Sequence, residues 1–441
     1  MSLARTPDPT VSHRWAVLFL LAFLEGCTAM GPGRTKPEPR AGEVLYIRSE
    51  PQKGTDLWIQ SLESGGHRPL TSSGKVVIAP AREMPGPWRS VAISPDGKQV
   101  AYAELHRPAA PATGRSGVEV WNALFVVNAD GTGRRELVDL TQQRVPEGQR
   151  IRAGHFLWSD DGKSLAYVLE SRPMKALPES CADVTFHSVD VASGRITSLF
   201  ESRSLADVSL LGWSPARAEI VFHDECGFRK GDAMPIPKGR VTLVRVSDRQ
   251  MSQQRARAPS LSPDGAFLFI SLQPHDRAPP TLYRTEALDG PPAVTLELPG
   301  KMTQGVRIAW LHHTPAALLS ATEWELPFLE CVGLYPQPRR LFWLELGTGT
   351  LQRVREDAHA LNVVAISPDD TYALAGIITG KDERFYFPCG ERPVERLFLV
   401  RLDDLASELP IEELKRRARP LTPPRSWGAQ MAFVEYVGWV R

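Results

Sequence analysis

The sequence predicts an all-β chain: a single propeller of four-stranded antiparallel blades, seven of them, whose ring is closed by the N- and C-terminal strands. Three observations carry this. A short hairpin built on Ser-Pro-Asp-Gly recurs through the 441 residues. Each copy is followed by an apolar third strand of the "LFVVNADG" kind and a more polar fourth. The copies start at Ser94, Ser159, Ser214, Ser262, Leu311 and Ser367, 48 to 65 residues apart, which is the period of a blade.

The hairpin has a physical reading. Pro at the second turn position presets φ, and Gly at the fourth accepts φ > 0. Ser-Pro-Asp-Gly is therefore a type I turn with a Gly bulge joining two antiparallel strands. The strand before it ends on a bulky residue: Ile93, Trp158, Trp213, Leu261, Trp310 and Ile366. The strand after it is apolar at successive positions, so both of its faces are covered. One blade cannot cover its own two faces, whereas a closed ring of blades can.

Third strands number seven and turn hairpins six. The missing innermost strand is supplied by "MAFVEYVGWV" (431–440), beside "EVLYIRS" (43–49) and the strands of 57–72. Sharing the closing blade between both chain ends removes an exposed edge. A six-bladed ring is the alternative. One short surface helix is expected near 410–417.

The turn, the aromatic before it and the third strand together resemble the WD40-like repeat of TolB-like propeller proteins. The resemblance spans about 43–440. Residues 94–97 and 262–265 match fully, 159–162 and 367–370 nearly, 214–217 weakly, and 311–314 has lost the turn residues. It implies a fold and leaves function open, because propellers host many functions.

The N-terminus has the pattern of an export segment. Arg5, His13 and Arg14 precede the apolar run "WAVLFLLAFL" (15–24), too short to span a bilayer and of signal-peptide length. Leu24-Glu25-Gly26-Cys27 resembles the lipobox of bacterial lipoproteins, with Glu25 departing from the pattern. The resemblance implies a lipoprotein signal peptide (1–26), a lipidated Cys27, a Pro/Gly-rich tether (27–42) and a propeller (43–441). Simple secretion and an uncleaved anchor are the alternatives. The expected place is the bacterial cell envelope, at the periplasmic side of the outer membrane.

Four further cysteines, Cys181, Cys226, Cys331 and Cys389, each fall between the second and third strands of a blade. Those loops share one face of a propeller, and disulfides persist outside the cytosol. The expected pairs join consecutive blades, Cys181–Cys226 and Cys331–Cys389. Buried thiols and a metal site are the alternatives. The same loops are long, and Phe328, Tyr335, Phe385, Tyr386 and Phe387 are candidate anchors for a protein or peptide partner; packing down over the propeller face is the other reading.

Charge adds a further bound. Lys and Arg number 52 against 51 Asp and Glu, so no field draws nucleic acid. No Gly-x-Ser-x-Gly elbow, His-Glu-x-x-His or phosphate loop is present. The turn aspartates Asp96, Asp161, Asp264 and Asp369 serve geometry, His312-His313 is exposed loop, and His223-Asp224-Glu225 is structural. The starts of the innermost strands offer Arg89, His155, Arg257 and Arg307 but no acidic cluster. Two functions stay open. One is a monomeric, non-enzymatic, lipid-anchored binding scaffold without cofactor. The other is a small-molecule or glycan enzyme, of lyase, lactonase or cyclotransferase type, at the channel mouth.

Overall fold

The computed structural model describes residues 42–50, 53–77, 90–105, 123–141, 149–173, 181–205, 208–224, 239–256, 259–271, 279–298, 304–322, 339–354, 361–387, 390–407, 409–421 and 433–441. They form seven four-stranded antiparallel sheets arranged as a ring.

The closing blade begins with β1 (Glu43–Glu50), β2 (Gly54–Ser61) and β3 (His67–Pro69). The first blade is β4 (Val91–Ile93), β5 (Gln99–Glu104), β6 (Ala123–Asn128) and β7 (Arg135–Asp139). The second is β8 (Gln149–Trp158), β9 (Ser164–Pro173), β10 (Ala182–Asp190) and β11 (Ile196–Leu205). The third is β12 (Ser209–Ser214), β13 (Glu219–Asp224), β14 (Arg240–Arg245) and β15 (Met251–Arg255). The fourth is β16 (Ser260–Leu261), β17 (Phe267–Ile270), β18 (Thr281–Arg284) and β19 (Val294–Thr295). The fifth is β20 (Gln304–Trp310), β21 (Ala316–Thr322), β22 (Arg339–Glu345) and β23 (Leu351–Arg353). The sixth is β24 (Leu361–Ile366), β25 (Tyr372–Phe387), β26 (Gly390–Arg401) and β27 (Arg419–Pro420). Helices α1 (Leu402–Ala406) and α2 (Ile411–Arg417) lie between β26 and β27. Finally β28 (Phe433–Val440) pairs with β1, from Glu43↔Val440 to Ser49↔Phe433. The expected blade number, the closing strand and the helix near 410–417 are all present; α1 is an addition, a single turn with Asp403 and Asp404 at its dipole-favoured start.

The turns show why the motif repeats. In four of them a buried Ser hydroxyl donates to the Asp two residues on: Ser94 to Asp96 (2.7 Å), Ser159 to Asp161 (2.7 Å), Ser262 to Asp264 (2.6 Å) and Ser367 to Asp369 (2.6 Å). The same Ser oxygen accepts a backbone N–H five residues on, from Gln99, Ser164, Phe267 and Tyr372. The Asp in turn accepts the N–H of Lys98, Lys163, Ala266 and Thr371. Gly97, Gly162 and Gly265 sit at φ of 75°, 69° and 70°, and Asp370 takes that place at 55°.

The core is divided among the seams between blades. Seven apolar clusters form among the described residues, each drawing on two neighbouring blades. Alternate residues of a second strand go to opposite seams. On β17, Leu268 and Ile270 face the third blade while Phe269 faces the fifth. On β5, Val100 and Tyr102 face the closing blade while Ala101 and Ala103 face the second. The cluster of Val44, Leu62, Trp439, Leu374, Leu399 and Leu421 seals the sixth blade to the closing one. Indoles add hydrogen bonds across seams: Trp158 donates to the Ala92 carbonyl (3.0 Å) and Trp310 to Ser260 Oγ (2.9 Å).

Candidate functional site

Antiparallel order puts the ends of the second strands and the starts of the innermost strands at one rim of the ring, opposite the Ser-Pro-Asp-Gly turns. The connections from second to third strand leave from that rim. Phe328, Tyr335, Cys226, Cys331 and Cys389, like Cys27, lie outside the described residues. Cys181 precedes β10 and is disulfide-bonded. Its partner is not among the described residues, so the pairing with Cys226 stays an expectation.

The sixth blade differs from the others at this rim. The sequence suggests a loop over 382–395, and the structure has a ribbon instead. Strand β25 runs sixteen residues and β26 twelve, paired from Tyr372↔Arg401 out to Phe387↔Gly390. The inner neighbour β24 accompanies β25 only as far as Ile377, and β27 meets β26 only at Phe398 and Leu399. Beyond Ile377 the two strands pair with each other alone among the described ladders. The β26 side, from Gly390 to Glu395, is about 20 Å long at ~3.3 Å per residue. Candidate anchors Phe385, Tyr386 and Phe387 are at its far end, on strand β25, where the register shifts between Asp382 and Tyr386.

Buried ionisable groups mark the second strands of four consecutive blades at this rim. On β1, Arg48 pairs with Glu50. On β5, Glu104 is 2% exposed and accepts from Ser73 Oγ (2.9 Å) and Arg134 Nη2 (3.1 Å). On β9, Glu170 and Arg172 are 2% and 3% exposed and form a 2.9 Å ion pair, and Glu170 also accepts the Val208 N–H (3.2 Å). On β13, Asp224 is fully buried and accepts from Arg240 Nε at 2.9 Å. Its neighbour His223 lies 3.3 Å from the Ala256 carbonyl, and burial pushes its pKa down to about 4, so the ring is neutral at pH 7. The other three ring blades carry Ser271, Ser320 and Gly376 near the same level. Sequence reasoning found His223 and Asp224 but missed Glu104, Glu170 and Arg172. Their signal was a charged residue closing an otherwise apolar second strand.

The innermost strands place the other candidates apart. His155 is buried, with Nε2 at 3.5 Å from Ser209 Oγ, and Arg307 is exposed on β20. Arg89 and Arg257 lie outside the described residues. His312 and His313 are exposed, as expected. Among the described residues no three His, Cys, Asp or Glu side chains are grouped to hold a metal ion. No helix among them is long and apolar enough to cross a membrane.

With seven antiparallel blades and a shared closing blade, the chain is a seven-bladed β-propeller. No family model and no curated protein matches it. Solved structures do. Puromycin hydrolase aligns at a TM-score of 0.52 with 14% identity over 88% of this chain and 53% of its own. Oligogalacturonate lyase in complex with manganese aligns at 0.51 with 12% identity over 81% of this chain and 85% of its own. TolB from Acinetobacter baumannii aligns at only 0.37, with 13% identity over 82% of this chain and 78% of its own. The chain spans about half the length of the hydrolase. At these identities the likeness shows the propeller fold and nothing finer.

Proposed function

We propose that the protein is an exported propeller, anchored to the cell envelope by lipid on Cys27, that binds a protein or peptide at its second-to-third-strand rim. The β25–β26 ribbon carries this reading. A two-stranded ribbon that outruns the other strands of its sheet has little stability of its own, and its end bears three consecutive aromatic residues of the kind enriched at interfaces. The buried acids of the rim support it too. Glu104, Glu170 and Asp224 are each held by an arginine, an arrangement that braces the rim.

The test is a photo-reactive amino acid at position 386 of the full chain, expressed in a bacterial envelope, with one at the exposed Met251 as control. A discrete adduct from position 386 alone, lost when Phe385 and Phe387 become Ala, is expected. No adduct, or one indifferent to those changes, overturns the reading.

The channel-mouth enzyme is the second reading. Among the solved propellers above are a lyase and a hydrolase, whose likeness to this chain extends to the fold. Turnover of oligogalacturonate or of an aminoacyl amide by the purified chain would establish it.

A further inference from the structure

We propose that the outer edge of β11 is an interface between two copies of this chain, which pair antiparallel about Ser202. Strand β11 is an edge: it pairs with β10 and with no other described strand. An edge strand offers a row of unpaired backbone N–H and C=O groups, and folded proteins keep such edges short, charged, bulged or broken by proline. The other fourth strands follow that rule, with two to five residues each. Strand β11 has ten, "ITSLFESRSL", without proline or lysine.

Its charges decide which occupant fits. Glu201 and Arg203 are both exposed and two residues apart, hence on one face of the strand. A two-fold axis at Ser202 sets Glu201 opposite Arg203 of the second copy, and Arg203 opposite its Glu201. It also sets Leu199 opposite Leu205. Opposite charges directly across an antiparallel pair stabilise it, and like charges destabilise it. The register of β11 on β10 shifts on either side of the stretch 200–202. The axis falls on Ser202, the last residue of that regular stretch, and Arg203 lies at the shift that follows it. An unrelated peptide has no reason to present this charge order, whereas a second copy must. The inference stands apart from the rim and its ribbon, and it departs from the monomer expected from sequence.

Sedimentation velocity of the purified full-length chain over a range of concentrations tests it. A reversible monomer–dimer equilibrium is expected. Glu201→Arg and Arg203→Glu, both at exposed positions, should each weaken the dimer by about tenfold through two like-charge contacts. An equimolar mixture of the two variants should regain it as a heterodimer, because each then meets its complement. A chain that stays monomeric throughout overturns the proposal. So does a dimer that ignores both substitutions, or a mixture that fails to recover.

Discussion

The carboxylate of Asp370 receives the backbone N–H of His313 at 2.7 Å, across the seam between the sixth and fifth blades. It also receives the N–H of His312 (2.7 Å) and Thr314 (3.2 Å). The fifth blade has lost its Ser-Pro-Asp-Gly turn, and the next blade's turn caps what replaced it. That contact explains why a non-glycine residue holds a left-handed conformation at this turn.

Asp370→Gly removes the backbone strain and all three acceptor contacts together. The contacts outweigh the strain, so the variant should be less stable by about 1–2 kcal/mol. A lowered melting temperature is the readout, and a raised one would show that strain dominates.

Ser159 is fully buried, and its Oγ takes the Ser164 N–H at 3.0 Å. Ser159→Ala leaves that donor unmet at a cost of about 1–3 kcal/mol. A denaturant midpoint measures it. Combining it with Ser262→Ala, in a non-adjacent blade, should give near-additive losses.

The Asp161 pKa is lowered, chiefly by the Ser159 hydroxyl and then by the Lys163 N–H; Asp96 is lowered in the same way by Ser94. A carboxyl with a depressed folded pKa contributes stability that is complete above its ordinary value of about 3.9. That contribution is lost as pH falls through the lower folded value. Melting temperature should drop on acidification below about pH 4, and Asp161→Asn should shrink the drop. An unchanged pH profile in that variant would count against the assignment.

Arg172→Met leaves Glu170 buried without its partner on β9. Breaking a buried pair costs about 3–5 kcal/mol, whereas removing both charges is far milder. Glu170→Gln combined with Arg172→Met should therefore recover most of the loss in a chemical denaturation series.

Cys181→Ser should release one additional reactive thiol, because Cys181 is disulfide-bonded. Peptide mapping of the unreduced protein is expected to join Cys181 to Cys226; a link from Cys181 to Cys331 or Cys389 would replace that pairing.

The blades were legible in the sequence because the turn chemistry is local: a Ser, an Asp two residues on and a left-handed fourth position suffice. The closing strand was legible because Trp439 and Val440 had no other place in the repeat. The ribbon was not. "DERFYFPCGERPVE" contains two prolines and no clean alternation, and its extended form depends on long-range pairing. The buried Glu104, Glu170 and Arg172 were hidden for a related reason. Whether the end of a second strand is covered depends on the neighbouring blade, as when Val208 of the third blade caps Glu170 of the second.

Strand β1 and its inner partner β28 are nearly the whole chain apart in sequence. In chain order, the first three strands of the closing blade come long before the fourth. The Arg441 N–H that docks on the Gly97 carbonyl comes later still. Until β28 docks, the ring is open and has two bare sides, one at β1 and one on the sixth blade, and exposed surfaces of that kind are where partly folded chains aggregate.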